Sequence, residues 1–145
     1  MAAPLPSAPL ALASPVVPPA PLAVTAAGAI AAVAADERAI ETTLRRYEEA
    51  YERLDAKAAS AVWPTVDRRA LSRAFAGLAS QSLDFRGCEV VIRAGASTAT
   101  ASCSGTAEYV QKVGDPRVHV EPRQWTFTLN KTQGAWRIEA VDGSR

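Results

Sequence analysis

Residues 88–103, with the sequence CEVVIRAGASTATASC, decide the fold of this chain. Apolar side chains recur at every second position on both sides of Gly95 and Ala96, which is the period of a β-strand with one buried face. If a tight turn is centred on these two residues, the residues that face each other across the two strands have numbers that add up to 191. The opposed pairs are then apolar and share one face, which specifies the register: Cys88 with Cys103, Val90 with Ala101, and Ile92 with Ala99.

A second hairpin is predicted near the C-terminus. The residues Lys131-Thr132-Gln133-Gly134 are typical of a turn. If facing residues have numbers that add up to 265, the pairs are again apolar: Leu129 with Trp136, Phe127 with Ile138, and Trp125 with Ala140. The strand before the first hairpin begins near Ser80 and has a predicted bulge at Gly87. Residues 111–122 contain Gly114-Asp115-Pro116 and predict a long polar connection between the hairpins.

Three helices are predicted before the strands. Residues 36–54 carry one apolar stripe at helical spacing, formed by Ile40, Leu44, Tyr47, Tyr51 and Leu54. Asp36, Asp55 and Asp67 are the predicted N-caps of the three helices; the second ends near Val62. Helices followed by antiparallel strands predict an α+β domain, with three N-terminal helices packed on an antiparallel sheet of about four strands.

The N-terminal segment, residues 1–35, differs from the rest in composition. It has no charged residue and holds seven of the ten prolines, whereas all sixteen basic and fifteen acidic side chains lie in residues 36–145. We therefore expect residues 1–35 to be a Pro/Ala-rich disordered linker, and a helix over residues 26–35 is an alternative that the sequence allows. We expect residues 36–145 to be one domain. The segment lacks the basic start of a secretory signal, and its Pro-free part, 22–35, is too short to span a membrane, so we expect no direct membrane insertion.

Composition argues against several function classes. A formal net charge of +1 provides no long-range attraction for nucleic acid, so no nucleic-acid partner is expected. Two cysteines and one histidine, without a CxxC pair, exclude the usual zinc sites, and no phosphate-binding motif is present. We therefore predict neither a metal site nor a cofactor.

Several motifs resemble those of one family. They are Tyr51-Glu52-Arg53-Leu54-Asp55, the corner Trp63-Pro64, Phe75-Ala76-Gly77-Leu78, Cys88, residues 98–105, Tyr109, and Trp125-Thr126-Phe127. In this order, after three helices, they resemble the nuclear-transport-factor-2-like superfamily, also called SnoaL-like or cystatin-like. The similarity is greatest to domains at the ends of larger bacterial proteins, including membrane-associated serine/threonine kinases. The resemblance implies a curved, cone-shaped sheet around the helices and a location outside the cytoplasm.

The resemblance also implies a pocket for a small apolar ligand at the open end of the cone. The candidate pocket residues are aromatic: Tyr47, Tyr51, Trp63, Phe75, Phe85, Tyr109, Trp125, Phe127 and Trp136. Enzymes of this family need a buried carboxylate base, and the inward positions of both predicted hairpins contain none. His119 lies in the predicted polar connection, where we expect it to be exposed. We therefore predict no catalytic residue, and the tyrosines are either core fillers or hydrogen-bond donors.

Two further features depend on the predicted register. Cys88 and Cys103 are directly opposed, at a separation that a disulfide accepts, so we expect them to be bonded if the domain is exported. A row of hydroxyl side chains occupies the other face of the same strand: Thr98, Thr100, Ser102, Ser104 and Thr106. That face is either exposed to solvent or, as the resemblance implies, the surface of a homodimer.

We therefore expect a non-catalytic accessory domain that binds a small ligand, mediates protein contacts or dimerises. The alternative is an enzyme of the isomerase or dehydratase kind that uses a pocket tyrosine. A structural spacer with a filled core is the third reading. An open pocket with a buried acid or histidine favours chemistry, whereas a pocket plugged by aromatic side chains favours a scaffold.

Overall fold

A computed structural model of the chain describes residues 19–93, 95 and 97–144, without the side chains of 19–26 and 144. Its helices are α1 (Pro19–Glu52), α2 (Ala56–Val62) and α3 (Arg68–Ala76), and its strands are β1 (Leu78–Ile92), β2 (Thr98–Gln111), β3 (His119–Thr132) and β4 (Ala135–Ser144). The strands form one antiparallel sheet in the order β1-β2-β3-β4. The predicted α+β architecture is confirmed.

The first helix begins well before the predicted position. It starts at Pro19 instead of Asp36. The helical end that the sequence allows at 26–35 is present, and residues 19–25, predicted as linker, are helical as well. Alanine has the highest helix propensity, and no proline lies between Pro21 and the end of the helix at Glu52, so no proline interrupts the helix. Both prolines lie in the first turn, where the missing N–H has no helical partner in any case. Residues 1–18 of the predicted linker lie outside the described residues.

The two short helices begin where the sequence predicts. The carboxylate of Asp55 accepts a hydrogen bond from the backbone N–H of Ala58 at 3.0 Å, and that of Asp67 accepts one from Ala70 at 3.0 Å. Each bond satisfies an otherwise unpaired amide in the first helical turn. The third helix stops at Ala76, and Leu78 opens β1, earlier than the predicted start of that strand near Ser80.

The register of the first hairpin is confirmed. Cys88 pairs with Cys103, and the two other predicted pairs also form. The Cα atoms of the cysteines are 4.0 Å apart, and their sulfurs form a disulfide. The predicted irregularity is present as well, since the register shifts between Phe85 and Gly87. Ala96, one of the two predicted turn residues, lies outside the described residues.

The predicted register of the second hairpin is wrong by two residues. Lys131, not Leu129, pairs with Trp136, and Leu129 pairs with Ile138. The turn consists of Gln133 and Gly134 alone, both with positive φ (53° and 78°), which suits the twist of a two-residue hairpin. A shift of two leaves Leu129, Trp136 and Ile138 on their predicted face, so the apolar pattern of these residues does not distinguish the two registers. A further shift between Thr128 and Leu129 then aligns Phe127 with Val141. The predicted pair of Trp125 with Ala140 is therefore also wrong: Ala140 pairs with Thr128 and is exposed.

The polar connection is shorter than predicted. β3 begins at His119, so residues 119–122 belong to a strand that pairs with the end of β2. The strand predicted to follow the connection, from residue 123, therefore begins four residues earlier. Pro122 pairs with Thr106 of β2. The last pair between β3 and β4 is Gln124 with Ser144, so at Pro122 the side of β3 away from β2 has no paired strand among the described residues. Proline, which has no N–H to donate, is compatible with such an edge position.

The core lies between the apolar stripe of α1 and the concave face of the sheet. Its members include Ile40, Leu44 and Tyr47 from α1 and alternate residues from the three strands that follow β1, such as Ala101, Phe127 and Ile138. These positions confirm the predicted inward faces of the hairpins. The hydroxyl row of β2 lies on the opposite face, where Ser102 and Ser104 are exposed.

A buried carboxylate joins α1 to the second hairpin. Asp36 is only 6% exposed, and its Oδ1 accepts hydrogen bonds from Trp136 Nε1 at 3.0 Å and from Lys131 Nζ at 2.9 Å. Thr43, two turns further along α1, donates to the carbonyl oxygen of Trp136 at 3.2 Å. The indole bond and the ammonium bond hold the pKa of Asp36 below its usual value. The predicted N-cap is thus a mid-helix residue with a tertiary role.

Gly105 allows β1 and β2 to approach each other closely beside the bulge. A Cβ atom at this position would overlap the carbonyl oxygen of Asp84 and would lie 3.1 Å from the Cα atom of Phe85. Both are backbone atoms, so relief would require the strand itself to move. Gly87, on the bulged strand, has nothing within 4 Å of the same hypothetical atom.

We predict that Gly105→Ala lowers the free energy of unfolding by about 2 kcal/mol or more, because the new methyl group meets fixed backbone. Gly87→Ala is the matched control and is expected to change it by less than about 0.5 kcal/mol. Urea denaturation of both variants measures the difference. Equal losses in the two variants would show that the close approach at Gly105 does not constrain the fold.

We also predict that Asp36→Asn destabilises the domain by about 1–3 kcal/mol near neutral pH, because it removes a charged acceptor from two bonds. A carboxyl whose folded-state pKa is depressed stabilises the protein above its unfolded-state pKa and loses that contribution as the pH falls. The difference between wild type and Asp36→Asn should therefore shrink below about pH 4. Chemical denaturation at pH 7 and pH 3 measures it, with the exposed Asp84→Asn as control. A difference that is independent of pH would contradict the assigned ion pair.

Candidate functional site

Polar side chains replace apolar ones at one end of the core-facing side of the sheet. Adjacent strands align there in three rows, which are Gln81–Tyr109–His119, Leu83–Ala107–Glu121 and Phe85–Gly105–Arg123. The register of β2 and β3 is uninterrupted, so the polar residues of β3 are on the same face as the buried residue Trp125. We call Gln81, Tyr109, His119, Glu121 and Arg123 the polar end of the sheet.

The polar end is only partly covered. The side chains of His119, Glu121 and Arg123 are 31%, 21% and 33% exposed, although they share a face with the core. The next inward positions of β3, Trp125 and Phe127, are buried. The concave face is therefore closed over its apolar part and accessible at the polar end.

Hydrogen bonds organise these side chains. The hydroxyl group of Tyr109 donates to Oε1 of Glu121 at 3.1 Å, and Arg123 Nη2 donates to Oε2 of the same carboxylate at 3.0 Å. The Tyr109 ring stacks on the imidazole of His119, with centroids 4.9 Å apart and planes inclined by 13°. One carboxylate thus links a phenol and a guanidinium across two strands, which limits the motion of all three groups.

A second ion pair lies beside the polar end. Asp115 accepts from Arg117 through both carboxylate oxygens, at 2.9 to 3.1 Å, and these bonds lower the pKa of Asp115. His119 Nε2 lies 3.8 Å from Oδ2 of Asp115, which is beyond hydrogen-bond distance. Asp115 therefore does not supply a hydrogen bond to His119 Nε2.

Three buried polar atoms at the polar end lack a hydrogen-bond partner among the described residues. They are Oε1 of Gln81, Nε2 of His119 and Nε of Arg123. In folded proteins the great majority of buried polar atoms are bonded, and each exception calls for an explanation. Here all three belong to one face of adjacent strands, and they comprise an acceptor, a donor and an imidazole nitrogen that can serve as either.

Aromatic side chains adjoin the polar end. The rings of Tyr47 and Tyr51 stack with centroids 4.3 Å apart, and Phe85 packs edge-on against Trp125 at 4.7 Å. Burial raises the pKa values of both tyrosines, and a hydrogen bond between their hydroxyls raises that of Tyr47 further. Both phenols therefore stay protonated at neutral pH and act as hydrogen-bond donors, not as bases.

The nine aromatic pocket candidates do not form one site. Tyr47, Tyr51, Phe85, Trp125 and Phe127 form a connected group of rings, with Tyr109 at the polar end. Phe75 packs against Tyr51 at 5.0 Å, and Trp63 is half-buried near Tyr47 at 6.3 Å. Trp136 bonds to Asp36, away from the polar end. Whether any of them contacts a ligand stays a prediction.

The expectation that the inward positions hold no carboxylate is wrong. Asp36 is buried against Trp136, and Glu121 is on the core-facing side of β3. The expected exposure of His119 is also wrong, since its side chain is half-buried and stacked. The physical reason is the same for Glu121 and His119: the sequence predicts a loop for residues 119–122, and a loop has no alternating faces. Extending the period of two from Trp125 back to His119 would have placed them inward.

Two other clefts border β1. One, of about 300 Å³, lies between α1 and β1 and is lined by Leu44, Glu48, Phe85 and Cys88 among others. The other, of about 470 Å³, includes the acidic side chains Glu48, Glu52, Asp84 and Glu108. Burial raises the pKa of Glu48, and the neighbouring carboxylates Glu52 and Asp84 add to this effect. The second cleft is also lined by the hydroxyl residues Ser82 and Thr106, and no histidine is among the lining residues of either cleft.

Searches for membrane and metal-binding features gave negative results. Among the described residues, no helix combines the length and the hydropathy that a membrane crossing requires. Within the same residues, no three or more His, Cys, Asp or Glu side chains are grouped closely enough to hold a metal ion.

Comparison with known proteins gives matches at the level of structure only. No protein-family model and no curated protein matches the sequence. A candidate dehydratase of the nuclear-transport-factor-2-like family from Streptomyces avermitilis is similar with a TM-score of 0.66 and 15% identity, over 76% of this chain and 95% of that one. A superfamily protein from Salmonella enterica serovar Typhimurium gives 0.69 and 10%, over 77% and 92%.

A third match is named for its fold. It is a nuclear-transport-factor-2-like protein with a cystatin-like fold from Novosphingobium aromaticivorans, similar with a TM-score of 0.64 and 17% identity, over 82% of this chain and 87% of that one. Identities this low establish a common fold and leave activity undetermined. The three helices, the open four-stranded antiparallel sheet and these similarities together show that the chain has the nuclear-transport-factor-2-like fold.

Proposed function

We propose that this domain binds a small ligand at the polar end of its sheet and does not catalyse a reaction. The observation that carries the proposal is the set of three buried polar atoms without partners, on Gln81, His119 and Arg123, at the accessible end of the concave face. A ligand that bonds to them would recover the free energy lost by leaving them unsatisfied, about 1–3 kcal/mol for each group. Half-buried Phe85, in the same row as Arg123, provides apolar contact area beside them.

The side chains at the site favour binding over turnover. A general base must reach the substrate with a suitable pKa. Tyr47 and Tyr51 have raised pKa values, and Glu121 is already held by Tyr109 and Arg123. Asp36 has a lowered pKa and is bonded to Trp136 and Lys131 in the core. For the isomerase or dehydratase alternative, the side chain left to act as a base at the polar end is His119, whose buried Nε2 lies 3.8 Å from Oδ2 of Asp115. The candidate dehydratase from Streptomyces has the same fold.

The wider role that we propose is that of an accessory domain. Residues 1–35 would connect it to a larger assembly, and the hydroxyl face of β2 would be available to a second copy of the domain. The disulfide between Cys88 and Cys103 supports a location outside the reducing cytoplasm. Because the cysteines lie on neighbouring paired strands, a reducing environment would leave the hairpin paired but remove the covalent link.

The ligand-binding proposal predicts that fragments shift the NMR signals of the polar end. In a fragment screen by ¹H–¹⁵N correlation spectra, the Gln81 side-chain amide and the Arg123 Nε–H should move first. Arg123→Met should weaken the best fragment at least about tenfold, as expected for a lost charge-assisted bond. Arg86→Met is the matched control, because Arg86 is exposed and pairs only with Asp84.

Two results would contradict this function. A screen with no shift at the polar end would show that the unpartnered atoms are not a ligand site. Enzymatic turnover of a bound fragment that Tyr51→Phe or Tyr47→Phe abolishes, with the fold intact, would establish the enzyme alternative instead.

The proposed location predicts that the disulfide is present in the native protein. Mass spectrometry of unreduced peptides from the source organism should find Cys88 joined to Cys103. Opening this link in purified protein should lower the free energy of unfolding by about 3 kcal/mol in the loop-entropy treatment. Two free thiols in the native material would contradict export.

A further inference from the structure

We propose that β1 binds an extended segment of a partner protein, which alternates apolar with basic residues and adds to the sheet as a further strand. This inference goes beyond the proposed function, because none of the residues that carry it belongs to the polar end. It rests on three observations: the unpaired edge of β1, the two clefts that border this edge, and the acidic side chains around it.

The edge of β1 away from β2 has no paired strand in the part of the chain that the structure describes. β1 stands first in the sheet order, and β2 is its partner. With 15 residues it is long for an edge strand, and it contains no proline. A strand at a sheet edge presents a row of N–H and C=O groups with which a further strand can pair.

The backbone groups that face this edge follow from the pairing with β2. In an antiparallel pair, successive residues direct their N–H and C=O groups alternately towards the partner strand and away from it. The N–H of Arg93 bonds to the carbonyl of Thr98 at 2.9 Å, so the odd-numbered residues from there back to the bulge face β2. Val90 and Cys88 lie between them and face the free edge.

Phe85 faces the free edge on the other side of the bulge. The carbonyl of Asp84 lies close to Gly105 of β2, and the N–H of the same peptide group, which belongs to Phe85, points the opposite way. This N–H interacts with the Glu48 carboxylate of α1. An added strand would bring a backbone carbonyl to the Phe85 N–H and release Glu48 to a basic side chain.

The two clefts that border β1 adjoin each other along this edge. Both the cleft of about 300 Å³ and the cleft of about 470 Å³ are lined by Glu48 and Arg86. Together they follow β1 from residue 82 to residue 90, which is about 25 Å of strand. A segment of seven or eight residues in extended conformation has roughly this length.

The two faces of an added strand would meet different surroundings. On the concave side its side chains would contact Leu44, Phe85 and Val90, which line the smaller cleft. On the outer side they would lie beside Asp84 and Glu89, which are exposed and alternate with the inward residues of β1. Because side chains on paired strands share the same alternation, the segment needs apolar residues at every second position and polar ones between them.

The polar positions favour basic side chains. The larger cleft is lined by four carboxylates and one guanidinium: Glu48, Glu52, Asp84, Glu108 and Arg86. Arg86 pairs with Asp84 at 3.4 Å, and the lining holds no second cation. The pKa of Glu48 is raised by burial and by the neighbouring carboxylates, and a lysine or arginine of the partner would relieve this repulsion.

The same charges argue against two other occupants. Nucleic acid, being anionic, is repelled by these carboxylates. A second copy of this chain that paired through β1 would bring its own Asp84 and Glu89 to an edge that is already acidic, and like charges across paired strands are destabilising.

An eight-residue peptide of alternating lysine and valine, added to the full chain, tests the proposal. Hydrogen exchange followed by ¹H–¹⁵N spectra should show that it slows the exchange of the Cys88 and Val90 amides at least about fivefold and leaves those of Glu89 and Val91, which face β2, unchanged. A peptide of alternating glutamate and valine should bind at least about tenfold more weakly. Unchanged or uniform protection along β1, or equal binding of the two peptides, would overturn the proposal.

Two N-methylated isomers of the lysine–valine peptide separate strand pairing from charge attraction. One carries methyl groups on its valine amides and the other on its lysine amides, so they have the same charge and apolar content but block opposite edges of the strand. One isomer should bind within about threefold of the parent peptide, and the other should lose at least about tenfold. Equal affinities of the two isomers would overturn the pairing with β1.

A variant of α1 tests the charge requirement. Glu52→Gln removes an exposed carboxylate from the larger cleft and should weaken the lysine–valine peptide at least about threefold at low salt. Glu37→Gln is the matched control, because Glu37 is exposed on the same helix and lines neither cleft, and it should leave the affinity unchanged. Equal effects of the two variants would overturn the charge requirement. Protection of the Cys88 and Val90 amides that grows with the concentration of the chain alone would assign the edge to a second copy and overturn the proposal.

Discussion

The close contact of β1 with Gly105 of β2 is the constraint on which the concave face depends. No side chain fits at this position, because the Asp84 carbonyl and the Phe85 backbone occupy the space. The bulge in β1 lies directly beside it, and bulges increase the local bend and twist of a strand. The same glycine leaves the row between Phe85 and Arg123 without a central side chain. The feature that shapes the sheet therefore lies in the same row as Arg123 of the polar end.

The sheet has one continuous inner face with two different surfaces. Its apolar part is sealed by α1, and its polar end remains partly exposed although the alternation of β3 never changes. Within that end, the carboxylate of Glu121 serves Tyr109 and Arg123, so the charges are internally balanced. The atoms without partners are an amide oxygen, an imidazole nitrogen and a guanidinium nitrogen, and our proposal is that they bond to a ligand.

The buried carboxylate of Asp36 has a structural part in this arrangement. It ties α1 to Trp136 and Lys131 of the second hairpin, so the helix that covers the core is attached to the far side of the sheet. A carboxylate with a depressed pKa and two donors is a weak base. The fold includes a candidate dehydratase among its members, but an acid in the core is not by itself evidence of chemistry.

The sequence by itself determined the helix caps and the first hairpin, because these depend on residues close together along the chain. Asp55 and Asp67 cap their helices by accepting hydrogen bonds from backbone N–H groups three residues further along the chain. The apolar alternation around Gly95 places Cys88 opposite Cys103. Tertiary structure decided what depends on distant partners. The second hairpin takes its register from positive φ at Gln133 and Gly134, since a two-residue slip leaves the apolar faces unchanged. Asp36 is a buried contact between α1 and β4 because Trp136, one hundred residues away, donates a hydrogen bond to its carboxylate. Glu121 and Arg123 face inward because β2 pairs with β3 beyond the point where the apolar pattern ends, and backbone pairing continues wherever a partner strand is present.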